Sequence, residues 1–277
     1  MSSRLNRRQF VRRTAVAAGA VAAGTAATGL HAPTIVRAAS AGQWGDLVGR
    51  LVYDGEVPVR KKLKVDKDVE CCGKFDIRDE SLMVGDEGGL GNVYVYVRSS
   101  VVEICPELEE RVADEKQVVL DNRDCIFKPH CMKIWYSKQS LHIVNSDPVA
   151  QNVAFTPLGD LAANIVLPAP PAEGAKADWT FKRKQRIPVP IACNYHPWES
   201  AYVLPLDSPY VDITQMDGTF RIAKLPLGEL EFQFWKEKIG YLSTPQWVKG
   251  RLKMAIQPGV NDLGTIKIDP ALVVEKT

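Results

Sequence analysis

The sequence predicts an all-β protein, and three observations carry that prediction. Between residues 117 and 206, short runs rich in Val, Ile, Leu and aromatic residues follow one another at close intervals, the spacing of strands in a β-sandwich. After Asp217-Gly218 the chain reads as an alternating strand, a Pro226-Leu-Gly228 turn and a second alternating strand. Near the start, Gly49-Arg-Leu-Val-Tyr-Asp-Gly55 and Asn92-Val-Tyr-Val-Tyr-Val97 have the β-branched and aromatic content of strands. With 277 residues there is ample material for one large core or two to three small ones.

Residues 1–41 are expected to be an export signal rather than part of the fold. Arg7-Arg8 precedes Phe10, a weakly apolar Ala/Gly-rich run extends from Ala15 to Leu30, and small residues follow at Ala38-Ala39 and Ala41. That order is a signal of the twin-arginine type, cleaved so that the mature chain begins near residue 39 or 42, in the periplasm or outside the cell. The Ala and Gly content makes the run a poor bilayer-spanning helix, so no membrane span is expected in the mature form.

Removing this segment reverses the charge balance. Six of the 35 basic residues are arginines within 1–38, where there is no acid, leaving 29 basic against 33 acidic residues. The formal charge moves from +2 to about −4, so nucleic-acid binding has no global electrostatic support. Two basic runs remain, Arg60-Lys-Lys-Leu-Lys64 and Lys182-Arg-Lys-Gln-Arg186, and read as solvated loops or edge strands. All six cysteines (71, 72, 105, 125, 131, 193) fall in the mature part, where export permits up to three disulfides of undetermined connectivity.

In order, residues 42–102 form an N-terminal β segment. Its Gly85-Asp-Glu-Gly-Gly-Leu-Gly91 is a turn rather than a phosphate-binding loop, because a strand follows and no helix opens. Glu103 to Lys116 is a short helix or connecting loop. Strands are expected at Val118–Leu120, Met132–Trp135, Leu141–Val144, Asn152–Phe155, Trp179–Phe181, Ile187–Cys193 and Tyr202–Leu204. The proline-rich Leu167 to Gly174 is an exposed excursion. Residues 207–277 close the chain as a C-terminal β segment.

Chemistry concentrates in three motifs: Cys125-Ile-Phe127-Lys-Pro129-His130, Asn145-Ser-Asp147-Pro148-Val-Ala-Gln151-Asn152, and Cys193-Asn-Tyr-His196-Pro197-Trp198-Glu199. A Cys and a His three apart on a strand-end loop can face one metal ion, a soft thiolate beside a borderline nitrogen. Together the motifs resemble exported cupredoxin-like proteins of the plastocyanin-like, methylamine-utilisation type. The resemblance implies a cupredoxin-like Greek-key sandwich over residues 103–206. The two outer segments resemble the opening and close of a smaller Ig-like, carboxypeptidase-regulatory-like β-domain, which implies that 42–102 and 207–277 can pair with each other.

The resemblance also implies a ligand set, and this chain departs from it. Gln151 stands where the family has its first copper-ligating His, and Glu199 where it has Met; Cys193 and His196 match. A type 1 copper site wants two imidazoles, one thiolate and a weak axial sulfur. The expectation is a degenerate site that takes copper, zinc or no metal, in a metal-binding or envelope interaction module with a redox or envelope protein as partner. The alternative is a working copper electron-transfer protein. The resemblance further implies a disulfide from Cys72, or its neighbour Cys71, to Cys125, because the family pairs an early Cys-Gly, here Cys72-Gly73, with the Cys-x-Phe-x-Pro-His element. No enzyme is expected: Cys193 and His196 lack an orienting residue and an oxyanion site, and no serine sits in a nucleophile elbow. His130 and His142 read as structural.

Overall fold

The computed structural model describes residues 43–273, so the expected signal at 1–41 lies outside the described residues. Among the described residues seventeen strands follow one another: β1 (Trp44–Tyr53), β2 (Tyr94–Val97), β3 (Gln117–Arg123), β4 (Ile126–Lys128), β5 (Cys131–Trp135), β6 (Ser140–Asn145), β7 (Gln151–Phe155), β8 (Ala163–Leu167), β9 (Lys176–Trp179), β10 (Val189–Ala192), β11 (Ser200–Leu206), β12 (Val211–Ile213), β13 (Thr219–Pro226), β14 (Gly228–Lys236), β15 (Gly240–Tyr241), β16 (Arg251–Ile256) and β17 (Gly259–Ile268). Two short α-helices interrupt them, α1 (Val69–Cys72) and α2 (Pro106–Asp114). The class is all-β. No described helix is long and apolar enough to cross a membrane.

Four sheets build two sandwiches. β1 lies between β13, antiparallel, and β17, parallel, so the first and last described strands share one sheet. It faces a second sheet, β12-β2-β14-β15 with β16 also on β14. Leu47, Leu51 and Phe220 from the first meet Val95, Phe232 and Phe234 from the second in a dry core. The other sandwich packs β5-β11-β10-β7-β8 on β4-β3-β6-β9, around Leu120, Phe127, Ile143, Val153, Ile191 and Val203. Each of its sheets contains one parallel pair, β5 with β11 and β3 with β6.

β2 welds the two sandwiches. Successive side chains of a strand point to opposite faces, and here both faces are buried. Val95 and Val97 enter the first core, while Tyr94 and Tyr96 meet Cys131, Leu204 and Leu206 of the second sandwich. The Tyr94 hydroxyl accepts from the Met132 N–H at 3.0 Å and donates to the Tyr202 carbonyl at 2.9 Å, so the phenol is buried without losing its hydrogen bonds. One expected strand is shifted: β9 ends at Trp179, and Phe181 leaves the ladder to place its ring 5.5 Å from that of Phe155.

The same junction buries one ill-matched group. Lys236, at the end of β14, is fully enclosed and its Nζ has no hydrogen-bond partner. Burial pushes its pKa down, against the pull of Cys131 and Glu237. An unpaired buried ammonium costs more than an apolar side chain of similar volume. Lys236→Met is therefore expected to raise the unfolding free energy by about 1–3 kcal/mol. A higher urea midpoint at unchanged slope would show it, and a lower midpoint would refute it.

Candidate metal centre

Four segments meet at one end of the second sandwich. The first is the β3–β4 hairpin turn, where Asp124 and Cys125 have φ of 61° and 56°. Two left-handed residues in a two-residue loop give the turn that matches strand twist. The second is the corner between β6 and β7. There Asn145 Oδ1 accepts from the Asp147 N–H at 3.0 Å, an Asx turn, while its Nδ2 donates to the Val149 and Pro168 carbonyls, each at 2.9 Å. Asp147 Oδ2 then accepts from the Cys125 N–H at 3.1 Å and from Gln151 Nε2 at 3.0 Å. One carboxylate thus ties the hairpin turn to the first residue of β7.

The third segment is the loop from β10 to β11, which carries Cys193, His196 and Glu199. Asn152 Oδ1 accepts from the Asn194 N–H at 2.6 Å and the Tyr195 N–H at 3.3 Å, turning the chain back immediately after Cys193. Trp198 anchors the far side, its Nε1 donating to the Cys125 carbonyl at 3.0 Å and its ring lying 5.0 Å from that of His196. The fourth segment is a strap, residues 63–77, that crosses this end and packs Leu63, Val65, Phe75 and Ile77 against Trp198 and Cys125. Cys72 of α1 and Cys125 of the hairpin turn are joined by a disulfide across 53 residues of chain.

Gln151, Cys193, His196 and Glu199 lie together inside this end, all at most 2% exposed. His196 Nδ1 is 2.6 Å from Gln151 Oε1, 3.3 Å from Glu199 Oε1 and 3.8 Å from Cys193 Sγ. One donor atom each from Cys193, His196 and Glu199 fits within 4.8 Å of the others. Both Glu199 carboxylate oxygens are buried without a hydrogen bond. The 3.3 Å approach of His196 is ionic only, since the Nδ1–H is directed at Gln151. On its outer edge His196 Nε2 meets Asp68 Oδ2 of the strap at 2.8 Å.

These contacts set the charges. Burial alone would lower the His196 pKa, but its contacts with Cys193, Glu199 and Asp68 outweigh it and push the imidazole up to about 10. Burial pushes the Glu199 carboxyl up, opposed by His196. Burial also raises Asp147, against the bonds from Gln151 and the Cys125 N–H.

The donor set is one thiol, one imidazole, one carboxylate and one amide. It does not fit type 1 copper, which needs a second imidazole and a soft axial sulfur. An anionic carboxylate with empty hydrogen-bonding capacity, beside a thiol and an imidazole nitrogen, is suited to a borderline divalent cation. No other histidine of the described residues supplies the missing nitrogen. His130 Nε2 is 2.7 Å from Glu237 Oε2, and His142 Nδ1 is 2.9 Å from Asp178 Oδ1. Cys131 lies in the junction between the sandwiches. Asp68 is the functional residue that motif reading missed. Its one local signal is its place just ahead of Cys71-Cys72-Gly73, because the strap alone brings it to His196.

No family model and no curated protein matches the chain. Solved structures of cupredoxins do. Amicyanin from Paracoccus versutus is 16% identical, covers 40% of this chain and 97% of its own, and has a TM-score of 0.27. The reduced Cu(I) form of an amicyanin mutant is 16% identical over 40% of this chain and 98% of its own, with a TM-score of 0.26. A purple cupredoxin from Nitrosopumilus maritimus is 16% identical over 33% of this chain and 99% of its own, with a TM-score of 0.25.

Proposed function

We propose that this chain is an exported cupredoxin-like protein that binds one metal ion without type 1 copper chemistry. Cys193 Sγ, His196 Nδ1 and the Glu199 carboxylate would hold the ion, with the Gln151 amide oxygen as fourth donor. Zn²⁺, or copper in a form without the blue electronics, is the cation class that a thiolate, imidazole and carboxylate suit. The observation that carries this reading is the Glu199 carboxylate, buried with neither oxygen hydrogen-bonded, beside Cys193 and His196. Such a group costs folding free energy, which the His196 imidazole at 3.3 Å offsets by charge but not by a hydrogen bond.

The protein is not an enzyme in this reading. Cys193 and His196 are close enough for a nucleophile–base pair, but both are sealed from solvent. Residues 103–206 form the metal-binding module and 42–102 with 207–277 a supporting β-domain, which a redox or envelope protein partner would engage. A working copper electron-transfer centre is the second reading, favoured by His196 Nδ1 facing Cys193 Sγ at 3.8 Å.

Titration of the reduced mature protein with Zn²⁺ and Co²⁺ tests the proposal. One ion per chain is expected, with Co²⁺ giving thiolate charge-transfer absorption. Glu199→Gln should weaken binding by roughly tenfold or more, since a lost ligand costs at least as much as a lost supporting contact. Stoichiometric binding indifferent to both Glu199→Gln and Cys193→Ala, or no binding at all, would refute it.

A further inference from the structure

We propose that Cys71, Cys72 and Cys125 form a thiol–disulfide exchange site in which Cys71 is the entry point for small dithiols from outside. The proposal is independent of any metal at Cys193. Cys72 and Cys125 are bonded to each other and both are completely buried. Cys71 is a free thiol, half-buried, and its sulfur lies within 4.8 Å of both disulfide sulfurs. Exchange requires a thiolate to reach a disulfide sulfur. An external thiol is screened from this pair by Trp198, Ile77 and Phe75, which pack around it. Cys71 already stands beside it, on the same turn of chain.

The steps balance without an added oxidant. The Cys71 thiolate bonds to Cys125 Sγ, the Cys72–Cys125 bond breaks, and Cys72 leaves as a thiolate that takes up the proton Cys71 gave. The new Cys71–Cys125 disulfide has one sulfur on the accessible side. A thiolate of an external dithiol then bonds to Cys71 Sγ and releases Cys125 as a thiolate. The second thiol of that dithiol attacks the mixed disulfide, frees Cys71 and leaves as a cyclic disulfide. Two electrons pass from dithiol to protein.

The arrangement also bears on the neighbouring centre. The N–H groups of Cys71 and Cys72 donate to the Asp68 carbonyl at 2.9 and 2.8 Å. At the start of a helix an Asp side chain usually accepts a bond from its own first turn, but Asp68 makes none and reaches His196 instead. A change of partner at Cys125 therefore moves the turn that holds Asp68 against His196. Burial, Asp147 and Asp68 raise the Cys71 thiol pKa, with Lys74 and His196 opposing, so comparisons are best made at mildly alkaline pH.

Two measurements test the proposal on the full mature chain. In Cys72→Ser, peptide mapping without reduction is expected to recover a Cys71–Cys125 disulfide. In Cys71→Ser, which keeps the native bridge, reduction of the folded protein by dithiothreitol should be slower than in wild type by roughly tenfold or more. Circular dichroism confirms that each variant is folded. Equal reduction rates, or Cys71 and Cys125 both free to alkylation in folded Cys72→Ser, would overturn it.

Discussion

Cys125→Ala is expected to lower the unfolding free energy by about 4 kcal/mol, the chain-entropy value for releasing a bridge that closes 53 residues. The loss is large because, beside the Asp68–His196 contact and the Leu63–Ile77 backbone bond, the strap has little to hold it. Its α1 is a single turn, and its apolar contacts are confined to the small cluster around Trp198. Removing Cys125 also denies Cys71 a partner, so neither vicinal cysteine can restore the tether. Cys72→Ser should cost visibly less, because Cys71 can take the bridge. Urea unfolding of wild type and both variants separates the cases. A loss below about 1 kcal/mol for Cys125→Ala would show that packing alone secures the strap.

Asn145→Ala is the second large effect, expected at about 2–4 kcal/mol. Asn145 is buried, and its amide donates to three carbonyls, those of Val149, Leu167 and Pro168, at 2.9, 3.3 and 2.9 Å. Alanine removes the donor from all three acceptors and leaves the buried Asp147 N–H without its partner, and unmade bonds in such a place cost more than made ones contribute. Asp147 loses its turn, and Gln151 loses the carboxylate that orients it. The same variant should therefore weaken metal binding although Asn145 contacts none of the donors. Asn145→Asp, which keeps the Oδ1 acceptor for Asp147, should retain the turn better than alanine does. A cost within about 0.5 kcal/mol, the range of ordinary surface changes, would contradict this account of the corner.

The strand content of the chain was legible because buried strands advertise themselves. Tyr94-Val-Tyr-Val97 is apolar on both faces and is buried on both. Leu141-His-Ile-Val144 alternates, and its Leu141 and Ile143 enter the core while His142 faces outward to Asp178. The strands that escaped reading are those whose signal depends on a partner. β8 exposes Val166, and β16 and β17 place charged and small residues among scattered apolar ones. β17 also contains Gly264 at φ +64°, beside the point where its register against β1 shifts between Val48 and Arg50. A break in period hides a strand from pattern reading. β9 was misplaced for another reason: Phe181 is apolar and buried, but through ring packing rather than a ladder.

At the site, motif matching named the buried residues that cluster at this end of the sandwich but gave no sign of their surroundings. Nothing in Phe234-Trp235-Lys236-Glu237 marks the lysine as enclosed; it is buried where Cys131 of the second sandwich and the Asp79-Glu80 segment come close to the end of β14. Asp68 has only its place ahead of Cys71-Cys72-Gly73 to mark it, since its bond to His196 spans 128 residues and exists because a strap crosses the sandwich end.

Gln151 and Glu199 decide whether the proposed centre can be a blue copper site, and one measurement addresses them directly. Reduced mature protein is titrated with copper and followed by visible absorption and electron paramagnetic resonance, with the Gln151→His/Glu199→Met double variant as positive control. Wild type is expected to show no intense blue band and no narrow copper hyperfine pattern, because a single imidazole and a hard carboxylate replace the trigonal plane and soft axial sulfur that produce them. The double variant should gain both. An intense blue band in wild type at one copper per chain, abolished by Cys193→Ala, would contradict the account.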